Sequence, residues 1–239
     1  MAVLIKISEL NFTDEVIIKI TEDCDIDIDI AQPISVNIIN EATNDSVVNI
    51  RGDITTQVVL TLSNLSRADL NLNMRINLIL KEASIKIINA SLCLANLKYN
   101  YQIKHLAKST YSNINNYAII TQNGNYTCDV SSEIPHGYSN SEAFQVSRVL
   151  TTGSLENIQV TPLLLMAEDK VKAKHACTIG RLDELQLFYM QLRGLSEQEI
   201  IKLMALSYLS NVLNEIHDDN IKNELNSTII RQVDQLCLM

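Results

Sequence analysis

Through the first three quarters of the chain, apolar and polar residues alternate one for one. Asp25-Ile-Asp-Ile-Asp-Ile30 alternates strictly, and so do Leu70-Asn-Leu-Asn-Met74 and Ile85-Lys-Ile87. Ile34-Ser-Val-Asn-Ile-Ile39 and Val58-Val-Leu-Thr-Leu62 are short runs rich in β-branched residues. Successive side chains of a strand point to opposite faces, so this pattern gathers the apolar groups on one side of a sheet. The runs recur roughly every ten residues, separated by polar clusters such as Asn40 to Ser46, the rhythm of a sandwich, barrel or solenoid. No window up to Thr178 carries a helical apolar period. Sandwich hairpins usually show Asn-Gly or Asp-Gly turns, and here Asn123-Gly124 stands alone in a chain with six glycines. Stacked coils turn wider corners, so residues 1–180 lean towards a β-solenoid, although no exact short repeat is visible.

After Gly180 the period changes. Leu182, Leu185, Phe188, Tyr189 and Leu192 form a helical stripe that ends at Arg193-Gly194, a basic turn followed by a capping glycine. Ser196-Glu-Gln-Glu199 is a capping box, in which each side chain satisfies a free backbone N–H of the other. It opens a second helix whose apolar positions are Ile200, Ile201, Met204, Tyr208, Leu209, Val212, Leu213 and Ile216, and His217-Asp-Asp-Asn220 breaks it. A third helix carries Ile221, Leu225, Ile229, Val233 and Leu236. Residues 181–239 therefore predict a small helical domain. Three short amphipathic helices need a covering surface, either the end of the β region or another protein.

Composition narrows the function classes. A formal net charge of -9, with no Lys/Arg cluster to offset it, opposes binding to nucleic acid or anionic lipid. Apolar runs such as Val160 to Met166 are too short to cross a bilayer. The N-terminal residues read as a strand rather than an export signal. Five scattered cysteines (Cys24, Cys93, Cys128, Cys177 and Cys237) fit neither a disulfide framework nor a self-contained zinc site, so a reducing cytoplasm is expected. The tripeptide Arg51-Gly-Asp53 and the sequons at Asn11, Asn44, Asn64, Asn89, Asn125 and Asn226 are chance matches unless the chain is secreted.

The candidate chemistry lies where strand gives way to helix. On the run Val171 to Ile179, residues Val171, Ala173, His175, Cys177 and Ile179 share one face, which makes His175 and Cys177 neighbours. Imidazole and thiolate both suit iron and zinc. The plainer reading of the same pair is a buried, hydrogen-bonded histidine beside a small apolar cysteine, and the pattern alone favours it. His105, His136 and His217 stand alone in loops or at a helix end, where solvated histidines are common. The alternating Asp25, Asp27 and Asp29 could form a calcium or sugar-cleaving site, but more simply form the solvated face of a strand. No nucleophile elbow, P-loop, zinc-protease or dinucleotide motif is present, so no self-sufficient enzyme is visible.

Val171-Lys-Ala-Lys-His-Ala-Cys-Thr-Ile-Gly-Arg-Leu-Asp-Glu-Leu-Gln-Leu-Phe-Tyr-Met-Gln-Leu-Arg-Gly-Leu-Ser196 resembles the signature of the SufB/SufD family, subunits of the SUF iron–sulfur cluster assembly machinery. The family joins a strand reading roughly H-G-A-T-x-G to a helix reading D-E-x-Q-L-F-Y-x-x-x-R-G-I. Ala143-Phe-Gln-Val-Ser-Arg-Val-Leu150 resembles its Y-Q-x-S-R-x-L coil, and Thr161-Pro-Leu-Leu-Leu-Met166 its x-P-x-L-x-I coil. The resemblance is dense from Ser131 to Ser196 and only architectural before that.

It implies a right-handed parallel β-helix core over 1–180 and a C-terminal helical domain over 181–239. It also implies a non-enzymatic role. A SufB-like subunit would pair through the β-helix, and a SufC-like ABC ATPase would dock on the helices, with Phe188, Tyr189, Arg193 and Tyr208 as the docking residues. His175 maps onto the histidine that the SufD branch places at the SufB interface, where it would contribute a metal ligand shared with the partner, with Cys177 beside it. No cofactor would be held by the chain alone, only a transient iron–sulfur cluster in the complex. SufD fits better than SufB: the coil Thr151 to Pro162 has no cysteine, and Lys174 stands where SufB has an acid. Ala176 and Cys177 depart from the usual Gly and Ala, and the family's N-terminal helical region has no counterpart. A homodimer through the β-helix, a SufB-like scaffold, and a polysaccharide-active or surface-binding solenoid are the alternatives.

Overall fold

A computed structural model describes residues 2–7 and 15–237, excepting the side chains of 236 and 237. Two seven-stranded sheets form the β region. One contains β1 (Val3–Lys6), β3 (Cys24–Asp27), β5 (Ser46–Ile54), β7 (Leu70–Leu78), β9 (Asn96–His105), β11 (Asn125–Ile134) and β13 (Ile158–Met166), in that order. The other contains β2 (Glu15–Ile20), β4 (Ile34–Asn40), β6 (Gln57–Asn64), β8 (Ser84–Cys93), β10 (Tyr111–Ile120), β12 (Glu142–Thr151) and β14 (Lys172–Gly180). Neighbours within each sheet are parallel, and the chain switches sheet with every strand. Each pair of successive strands is thus one coil of a β-solenoid, as the scarcity of tight-turn signals suggested.

Alternation does its work in both directions. The inward residues of β7, namely Leu70, Leu72, Met74, Ile76 and Leu78, are all buried. They stack on their counterparts in adjoining coils, as in the column Ile26, Ile50, Met74, Tyr101. The outward residues form polar ladders: Asn73 Nδ2 donates to Asn49 Oδ1 (3.1 Å), and Asn49 Nδ2 to Asp25 Oδ1 (2.8 Å). Arg51 pairs with Asp27 at 2.6 Å, and Asp29 accepts the backbone N–H of Asp53 at 2.9 Å. The three aspartates are therefore engaged along the stack, the plainer of the two readings of that run. These rungs recur at 24 residues, and the spacing grows to 27 and then to about 30 in later coils. A drifting period of this kind leaves no exact repeat in the sequence. Gly52 allows the closest approach: a Cβ there would lie 2.1 Å from the carbonyl oxygen of Ile28.

The helices are α1 (Glu184–Gln191), α2 (Glu197–Leu209) and α3 (Asp219–Cys237). Asp183 caps α1, Gly194 follows it with a φ of +90°, and the Ser196–Glu199 box opens α2. The second helix is shorter than its apolar period implied. It tightens into a 3-10 segment, Ser210–Glu215, where Asn211 Nδ2 donates to the carbonyls of Ser207 and Tyr208.

The covering surface is the flank of the solenoid rather than its end. Ala205, Leu209, Val212, Leu213, Leu225, Ile229 and Val233 bury against Ile39, Leu65, Ile88, Leu92, Ile119 and Leu150 on the outer face of the second sheet. This explains why every residue of β4 is buried, with both of its faces covered. The last helix reaches back to the first coils. Glu15 accepts from the backbone N–H groups of His217 and Asp218, Lys19 pairs with Glu224 at 2.8 Å, and Arg67 donates to Gln235.

Candidate functional site at the open coil

β13 and β14 are edge strands, and the inner face of this coil is uncovered. The parallel register sets His175 beside Gln145 and Cys177 beside Ser147. Gln145 and Ser147 are buried, whereas His175 and Cys177 are exposed. The same inward column thus passes from core to surface within one strand spacing. His175 and Cys177 do share a face. They are not the buried core pair that the pattern alone favoured, because no further coil among the described residues covers that face. Partial desolvation raises the Cys177 thiol above its ordinary value, so it is protonated at neutral pH and is no ready nucleophile.

Behind the mouth the lumen changes character. The early coils are filled by Ile, Val and Leu, but Tyr99, Tyr101 and Tyr126 pack edge to face in the later ones. Polar side chains join them. Asn89 Nδ2 donates to Asn116 Oδ1 (2.5 Å), Tyr126 hydroxyl donates to the same oxygen (2.9 Å), and Asn116 Nδ2 donates to Cys128 Sγ (3.4 Å). Burial pushes the Cys128 and Cys93 thiols up to about 12, which keeps both as inert thiols. Among the described residues, no group of three or more His, Cys, Asp or Glu side chains could hold a metal ion. His175 and Cys177 are at most half of a ligand set.

His105 is not the solvated loop histidine the sequence suggested. It is fully buried at the end of β9, with Nδ1 on Thr110 Oγ1 (2.8 Å) and Nε2 on Ser112 Oγ (2.9 Å), and desolvation lowers its pKa to about 4. His136 and His217 do have exposed rings, each near a carboxylate.

Next to the open coil, α1 is uncovered. Leu185 is 77 % exposed, Leu192 69 % and Phe188 59 %. Arg193 stacks over the Tyr189 ring at 4.6 Å and hydrogen-bonds its hydroxyl, which sets a cation on an aromatic surface. Tyr208 is different. Its ring packs edge to face on Tyr117 of β10 and fastens α2 to the sheet. Phe188, Tyr189 and Arg193 thus share one exposed surface that Tyr208 does not join.

A sequence model of the family described as SUF system FeS cluster assembly, SufBD core domain, matches residues 8–208. The chain belongs to this family. It is 33% identical over 135 residues to the iron–sulfur cluster assembly protein SufD of Bacillus subtilis, a stretch covering 56% of this chain and 31% of that protein. It is 28% identical over 76 residues to SufD of Escherichia coli, covering 32% of this chain and 18% of the relative. A SufBD family protein of Synechocystis is 26% identical over 96 residues, covering 40% and 21%. The aligned stretches span less than a third of each of these relatives. Within the family the chain is SufD-like. No helix among the described residues is long and apolar enough to cross a membrane.

Strand alternation and helical period locate the His–Cys pair and the apolar stripe of α1, whereas Gln145 does not stand out by either alone. A signal was available. Ala143, Gln145, Ser147 and Val149 have the parity of inward residues, so Gln145 and Ser147 are polar groups at core positions, two residues apart as His175 and Cys177 are.

Proposed function

We propose that this chain is a SufD-like, non-enzymatic subunit of a cytoplasmic iron–sulfur cluster assembly complex. The open coil receives a SufB-like subunit, and α1 with its flanking Arg193 docks a SufC-like ABC ATPase. His175, with Cys177 beside it, contributes part of a ligand set that the partner completes around a transient cluster, which is cargo and not a resident cofactor. The observation that carries this reading is the uncovered inner face of β14: two side chains able to bind iron stand where the core would otherwise continue. Half a ligand set is useful only where a second chain meets it. The exposed leucines and Phe188 supply an adjoining apolar surface for a different partner.

Co-expression with SufB-like and SufC-like chains from the same source tests the assembly. Recovery of a three-component complex is expected, and a chain that binds neither partner overturns the proposal. In the reconstituted complex, His175→Ala is expected to lower cluster formation severalfold while leaving subunit composition unchanged. Undiminished cluster yield removes His175 from the chemistry. Pairing of two copies through the same open coil is the second reading, and it predicts a dimer in the absence of any SufB-like chain.

A further inference from the structure

Gln145 has one amide atom fully satisfied and the other not at all. Its Nε2 donates to Ser132 Oγ at 2.9 Å and to the carbonyl of Leu163 at 3.2 Å. A backbone carbonyl can only accept, so the nitrogen must face Leu163, and turning the amide over would set two acceptors against each other. The Oε1 is consequently fixed, buried and without any donor. A buried acceptor left unpaired is costly enough to call for a group that reaches it.

The neighbour on the uncovered side is His175. It occupies the next rung of the ladder, on the same inward face, one strand spacing away. Lys172 and Lys174, the cations of the same strand, have outward parity, and Lys172 is already paired with Glu142. A neutral imidazole carries one N–H and one lone pair, and it matches an orphan acceptor on one side and an empty ligand position on the other.

We infer that Gln145 is a positioning residue for His175: its Oε1 accepts the N–H of one ring nitrogen, which fixes the tautomer and directs the other nitrogen's lone pair out of the open coil. This rests on the reading of His175 as a ligand shared across a subunit interface. Ligating histidines are generally held by an acceptor on the second nitrogen, and here that acceptor is a core amide that is itself clamped by two contacts. Ser132 and the Leu163 carbonyl thus orient Gln145, and Gln145 orients His175.

The test reads the ring directly. The whole chain is labelled with carbon-13 and nitrogen-15 at its four histidines, and the imidazole shifts are recorded at pH 8. The His175 signal is assigned by its loss in His175→Gln. A single tautomer is expected for His175. Gln145→Met, which keeps the shape and removes the acceptor, should restore the mixture seen for a free imidazole. Gln145→Leu, which also removes the acceptor and introduces no polar group, should give the same mixture and covers the case in which the methionine variant fails to fold. Unchanged signals from the buried His105 report an intact core. A mixed His175 in the unmodified chain, or one unmoved by Gln145→Met, overturns the inference. Because the tautomer is measured without partner or cluster, this result is independent of whether His175 proves to be a ligand. Where both hold, Gln145→Met should also lower cluster formation by the reconstituted complex.

Discussion

Single residues here are governed by which side of a strand they occupy. His105 illustrates the energetic consequence. Its folded pKa is about 4, below the ordinary 6.5, because burial disfavours the charged ring. Between those values the unfolded chain binds a proton that the folded chain does not, so stability falls as pH drops from 6.5 towards 4. The whole shift corresponds to about 3 kcal/mol. Urea unfolding at pH 7, 5.5 and 4 should show that loss, and His105→Gln should flatten the pH dependence. Gly52 shows a steric limit. A methyl group there would run into the Ile28 carbonyl of the coil below, so Gly52→Ala should cost about 1–3 kcal/mol in the same assay. A variant as stable as the parent would mean that the coils can separate locally.

At the scale of elements, much of the architecture was legible. Strict alternation from Leu70 to Met74 maps onto β7, that from Asp25 to Ile30 starts in β3 and runs past its end at Asp27, and the Ser196–Glu199 box marks the start of α2. Ser196→Ala should destabilise the helical layer by about 1 kcal/mol, visible as a lower thermal midpoint. What could not be read had physical causes. Asn211 ends the regular helix by side-chain bonds to carbonyls that a periodicity count does not register. His105 continues the parity of Leu97, Tyr99, Tyr101 and Ile103, yet a histidine at the end of a strand is easily taken for loop. The exposure of His175 depends on the absence of a covering coil, a fact about neighbours and not about local pattern. The docking role proposed for α1 gives a separable prediction. Phe188→Asp should change unfolding stability by less than about 0.5 kcal/mol, as for other exposed positions, while abolishing capture of the SufC-like ATPase. Loss of fold with the substitution would mean that Phe188 packs inward.

The molecule as a whole is a stack with unequal ends. Inward residues in the middle coils have neighbours above and below, whereas those of β13 and β14 have them on one side only. Stability in a solenoid is transmitted between adjacent coils, so amide exchange should be slowest in β7 to β10 and fastest in β13, β14 and α1. Addition of a SufB-like partner should selectively slow β14. Uniform protection across the coils would contradict an open, weakly held end, and unchanged β14 exchange in a formed complex would move the interface elsewhere.

The contacts of α3 with Glu15, Lys19 and Arg67 have a consequence in time. Coils of a solenoid can in principle condense one after another as they are made, since each needs only its predecessor. Here the outer flank of the first described coils is not fully covered until α3 exists, so coils made early are sealed late. The contact between Glu15 and Asp218 joins residues some 200 positions apart, so it forms only after all the intervening coils have been made. The flank of the first coils therefore cannot be sealed before α3 has been made, and those coils wait with apolar surface exposed.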